Sequence, residues 1–253
     1  MPELYVEALA TAVREDPSYV PVLELAAGDE RRWLGEFAAR ATSVSPAGLG
    51  VLDPGGDEAR LCAAALAALG PADDAESLYL VRSGPVLDAW VSMLARLVHE
   101  GDWQGEDLGL THLGHLGGTA VFELLGWAVP DGAGASVLIV DEPPVRENAH
   151  WADRQAVVGL RLSRTPGALR IVDAGEGRPP RLPVPYSFAG PGPCDGWLAL
   201  GEALSAGLVR AGDRVLLHTG DGPEPRGWVL LDAVDPGALV PVRAEVERGG
   251  GGS

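Results

Sequence analysis

Short apolar runs alternate with amphipathic stretches along most of the chain, and this alternation predicts strands separated by helices. Residues 3–13, ELYVEALATAV, read as a first strand. In residues 28–41, Trp33, Phe37 and Ala38 fall on one helical face, with acids and arginines on the other. Residues 57–69 form an Ala-rich helix with acids at its start, where the helix dipole favours them. SLYLVRSG, 77–84, predicts a short buried strand. A helix follows over 88–101, with Trp90, Met93, Leu94 and Leu97 in one stripe and Gly101 as its stop. LGLTHLGHLGG, 108–118, predicts a strand running into a Gly-rich turn, and 119–129 an apolar, buried helix. The apolar run at 135–143 and the segment 155–164 predict two more strands. This order argues for a mostly parallel sheet covered by helices.

A weaker set follows, with strands at 168–175, 213–222 and 227–234 and a helix at 195–209. Residues 176–193 are rich in Pro and Gly and show no helical pattern. Segments 119–164 and 195–234 read alike: an apolar helix, a buried strand, a turn, a second strand. The pattern implies two related halves, 1–165 and 166–248, the second incomplete. The terminal Gly-Gly-Gly-Gly-Ser, 249–253, reads as an engineered linker and is set apart from the fold.

Composition narrows the function class. At 46% hydrophobic and 22% charged, the chain can build a core and is not a disordered one. Its net charge of −17 argues against nucleic acid and anionic membranes as partners and disfavours direct docking of an acidic carrier protein. Two cysteines, Cys62 and Cys194, make no disulfide framework and fit a reducing compartment. Cys62 lies in an apolar run and reads as a core residue. With no basic leader after Met1 and no long uncharged apolar stretch, the expected location is cytoplasmic.

Candidate chemistry is sparse. His112 and His115, three apart at a strand end, could form a metal pair or a substitute base. No carboxylate or cysteine completes a tetrahedral set, so ordinary turn hydrogen bonds are expected, with His115 kept as a candidate base and no metal implied. Cys194 precedes a helix, where a thiol pKa can fall, and is a second candidate. Asp141 and Glu142 end a buried strand and are expected to be solvated or capping. The turn at 218–227 lacks the Lys and following helix of a phosphate loop.

Three stretches, 88–129, 151–175 and 196–234, resemble in order and local sequence the type III ketoacyl synthases of the thiolase superfamily. The resemblance implies an α/β, thiolase-like fold with one complete βα half and an incomplete second half. It also places the family's nucleophilic Cys at Leu116, in the turn Gly114-His115-Leu116-Gly117-Gly118, and its Asn at Pro191. The segment carrying the family's His has no counterpart in the short stretch 176–193. Leucine cannot attack a thioester and proline offers no side-chain donor, so ordinary condensation is not expected.

The function this implies is a non-catalytic subunit that pairs with an active ketosynthase, or with its own copy, in fatty-acid or polyketide-type biosynthesis. Pairing would run through an edge strand bearing Leu108, Leu110, Thr111, His112 and Leu113. An acyl thioester is the implied ligand, and no cofactor is called for. Alternatives are an acyltransferase or hydrolase using His115 or Cys194, and a stand-alone acyl-chain binder.

Overall fold

The computed structural model describes residues 3–15, 19–52, 58–84, 93–141, 145–147, 154–219 and 227–245. The first part of the chain runs β1 (Leu4–Glu15), β2 (Tyr19–Pro21), α1 (Glu30–Thr42), β3 (Leu49–Leu52), α2 (Glu58–Ala68), β4 (Ser77–Arg82), α3 (Met93–Glu100), β5 (Asp107–Leu110), α4 (Val121–Ala128), β6 (Ala135–Asp141), β7 (Val145–Glu147) and β8 (Arg154–Ser163). The second runs β9 (Leu169–Glu176), β10 (Tyr186–Gly190), α5 (Asp195–Ser205), β11 (Arg214–Thr219), β12 (Gly227–Ala233) and β13 (Val242–Ala244). No helix among the described residues is long and apolar enough to cross a membrane.

One large sheet runs in the order β10-β11-β12-β9-β1-β8-β6-β4-β5, with β13 also pairing β1. Its two arms repeat each other. In the first, β4 pairs in parallel with both β5 and β6, while β6–β8 and β8–β1 are antiparallel. In the second, β10–β11 is parallel and β11–β12 and β12–β9 are antiparallel. So β10 matches β4, β11 matches β6, β12 matches β8 and β9 matches β1, and the helix before the matched strand is α4 in one arm and α5 in the other. Among the described residues β5, α2 and α3 have no second-arm counterpart, which is where the second half is incomplete. Three parallel pairs lie in the arms, and β13 adds a fourth on central β1. At the centre β1 lies between β8 and β9 and runs antiparallel to both.

Side-chain alternation builds the layers. Tyr79 and Val81 face an inner core shared with Phe122, Leu125, Trp197 and Leu200 of α4 and α5. Leu78 and Leu80 face the other way, onto Leu61, Cys62, Met93 and Leu97 of α2 and α3. Burial on both faces explains why β4 and β6 read as continuous apolar runs. Cys62 is a buried core residue, as its apolar setting predicts. Buried Glu76 holds the end of α2 to the sheet. It takes a hydrogen bond from Ser136 and pairs with Arg161 at 3.3 Å, and Arg161 also donates to the Leu69 and Gly70 carbonyls at 3.0 Å.

Helix α1 packs on a separate three-stranded sheet, β2-β3-β7. Of the expected helical face only Ala38 packs inward: Trp33 and Phe37 are exposed and stack on each other with ring centroids 5.6 Å apart. Leu34 and Ala39 join Ala38 in the contact.

Candidate functional site

The two matching helices start at one place. A short 3-10 turn, Gly114–Gly118, leads into α4, and the loop Pro191-Gly192-Pro193-Cys194 leads into α5. The approach is so close that a Cβ on Gly118 would lie 1.8 Å from the Pro193 carbonyl oxygen. The buried Trp197 indole donates to the Gly118 carbonyl at 2.7 Å, and its ring packs on Phe122 with centroids 5.3 Å apart. The buried hydroxyls of Thr119 and Thr219 meet at 3.5 Å, and Thr219 also donates to the His115 carbonyl at 3.0 Å. Gly227 leaves room for Thr119 and for the Leu116 side chain.

His115 Nδ1 bonds the Pro191 carbonyl oxygen. A carbonyl only accepts, so Nδ1 carries the proton and, in the neutral ring, Nε2 is left as the acceptor. The turn thus brings together three residues named from the sequence, His115, Leu116 and Pro191, although Pro191 takes part through its backbone. His112 takes another direction. It is exposed, sits in the left-handed region at φ 63°, and its Nδ1 lies 3.0 Å from the Thr111 hydroxyl.

Below the loop lies a charge cluster. Asp195 accepts from the Gly192 amide at 2.7 Å and pairs with Arg154. Asp141 packs on the same glycine: a Cβ on Gly192 would lie 2.0 Å from Asp141 Oδ2. Burial, with the Asp195 charge adding to it and Arg154 opposing, pushes the Asp141 carboxyl up to about 7. Asp141 is therefore not the solvated strand-end acid expected from sequence, because α5 and its loop cover it. Glu142, its expected companion, lies outside the described residues, as do 220–226 of the turn at 218–227.

Cys194 requires a correction. Its thiol is fully buried, 3.3 Å from the Ile139 carbonyl and 3.6 Å from that of Ala156. Burial first, then the charges of Asp141 and Asp195, push its pKa well up. Desolvation overrides any benefit of the helix start, so this is no reactive thiolate. The cluster of Asp141, Asp195 and Arg154 and the Thr119–Thr219 contact escaped the sequence reading. The matched segments 119–164 and 195–234 held the available signal, since they imply two helix starts related by the repeat.

At the far end of the sheet, among the described residues, β5 pairs only with β4. Leu108 is 45% exposed, whereas Leu110 and Leu113 lean on the inner core and the strand ends before Thr111.

No protein-family model matches this chain, and no curated protein matches it. Solved structures do. The acyltransferase ChlB3 aligns with a TM-score of 0.59 at 14% identity, over 94% of this chain and 99% of that one. MvaS in complex with 3-hydroxy-3-methylglutaryl coenzyme A aligns at 0.58 and 17%, over 93% and 85%. The HMG synthase of the curacin biosynthetic pathway, in complex with its holo donor acyl carrier protein, aligns at 0.51 and 11%, over 93% and 82%. The fold is thiolase-like. At these identities the likeness carries the fold alone.

Proposed function

We propose that this chain is a non-condensing thiolase-fold subunit that pairs with an active ketosynthase in fatty-acid or polyketide-type biosynthesis and shapes or stabilises its acyl site. The observation that carries this reading is the closed junction at the two helix starts. Backbone and aromatic contacts fill it, and its one cysteine is buried and bonded to carbonyls. Leu116 and Pro191 at the family's Cys and Asn positions, and the shortened 176–193 segment, point the same way.

Retained pairing is supported by the surface beside β5. Leu108 sits in register with Tyr79, whose hydroxyl donates to the Ala128 carbonyl at 3.1 Å. The edge strand is thereby linked to the end of α4, where Leu124 is 48% and Trp127 73% exposed. Among the described residues, the edge strand with exposed Leu108 and the helix with exposed Leu124 and Trp127 offer apolar surface of the kind a partner covers. Exposed Glu106 and Asp107 stand at the start of β5 and exposed Glu123 stands on α4, so two copies would oppose acid to acid and a less acidic partner is favoured. Matching structures solved with acyl carrier protein and with a CoA thioester support an acyl thioester as the ligand handled by the pair.

A second reading rests on the His115 bond to Pro191, which would present Nε2 as a base for acyl transfer or hydrolysis. The test of the first is size-exclusion chromatography with light scattering, on the chain alone and mixed with a candidate ketosynthase. The mixture is expected to give a 1:1 complex that Leu108→Asp or Trp127→Glu weakens at least tenfold. Leu110, which packs inward, is the wrong position for such a charge. A monomer under both conditions, unaffected by either substitution, would overturn the pairing.

A further inference from the structure

The Pro191–Pro193 loop is held on two sides. On one, Pro191 accepts from His115 Nδ1 and the Pro193 carbonyl lies against Gly118. On the other, Gly192 is gripped between two carboxyl groups, donating its amide to Asp195 at 2.7 Å while Asp141 packs against its Cα. We propose that the Asp141–Asp195 carboxyl pair is a proton-operated latch that keeps this loop closed on the 114–118 turn.

The charge count around Gly192 is the physical basis. Among the described residues, Asp141 is faced by Asp195 from α5, Arg154 from β8 and the neutral Cys194 thiol from the loop; His115 of the opposing turn reaches the loop through Pro191. With Asp141 protonated, one carboxylate and one guanidinium balance. With Asp141 ionised, two carboxylates share the one cation described beside them in a partly buried site, where like charges repel more than in water. Moving the loop outward hydrates both carboxylates at the cost of the Gly192 and His115 bonds. The raised Asp141 pKa, caused mainly by burial, puts the change close to neutral pH. The latch thus controls whether the junction of α4 and α5 is sealed and whether His115 is tied. It goes beyond the pairing reading and needs no partner, so either can fail alone.

Nuclear magnetic resonance on the isolated chain tests it. The Asp141 side-chain carboxyl carbon should titrate near pH 7, and the Gly192 amide should follow the same inflection. After correction for base-catalysed exchange, protection of the Gly192 amide should fall at least tenfold between pH 6 and pH 8, and stay constant in Asp141→Asn. An Asp141 inflection in the ordinary carboxylate range, equal Gly192 protection at both pH values, or the same loss in Asp141→Asn would each overturn the latch. The wild-type titration decides the matter by itself if the variant does not fold.

Discussion

Replacing Trp197 with alanine is expected to lower the stability of the chain by about 3–5 kcal/mol, the range for removing a large buried aromatic. The indole is fully buried among residues of both sheet arms, packs at a tilt on Phe122 and donates to the Gly118 carbonyl. Truncation leaves a cavity between the two central helices and a buried carbonyl without a donor, and both terms act in the same direction. Trp197→Phe keeps most of the apolar contact and loses the hydrogen bond, so it should cost on the order of 1–2 kcal/mol. Denaturant unfolding of the three proteins measures the series. A loss below about 1 kcal/mol for the alanine variant would mean that α4 and α5 are not the packed centre of the fold.

Asp141→Asn is expected to stabilise the chain at pH 8 by roughly 2–4 kcal/mol and to leave it nearly unchanged at pH 4. The sign follows from proton binding. The folded carboxyl titrates at about 7 against an ordinary value of 3.8. Between those values the native state holds a proton that the unfolded chain has released. Stability therefore falls as pH rises from about 4 to about 7 and stays low above. Asparagine carries no charge at any of these pH values and removes that slope. Thermal unfolding across pH 4–8 checks it. Parallel wild-type and variant curves would place the ionised Asp141 in solvent rather than under α5.

Much of this fold is legible in the sequence because β4, β6 and β8 are buried on both faces. The run at 135–140 can only be an interior strand, and the matched order in 119–164 and 195–234 gives the repeat. Other elements lacked a signal. Strand β10 is five residues long and bracketed by Pro185 and Pro191, so its stretch reads as a loop. Periodicity places Trp33, Phe37 and Ala38 on a shared stripe, but cannot say that only its Ala38 edge, with Leu34 and Ala39, faces the small sheet. For the site, the turn at 114–118 was visible through its glycines. The carboxyl pair was not, because Asp141 and Asp195 each look like an acid at the end of an element and only the fold brings them to one glycine. The same burial removed Cys194 as a candidate, since a helix start predicts an activated thiol only where water can reach it.

We propose that this thiolase-like fold pairs with a partner and does not itself condense. This is tested most directly by intact mass spectrometry of the purified chain after incubation with acyl and malonyl thioesters, with product formation followed in the same samples. An unmodified mass and no condensation product above background is the result this account predicts. A covalent acyl adduct on His115 or Cys194, or turnover to a condensed product, would contradict it.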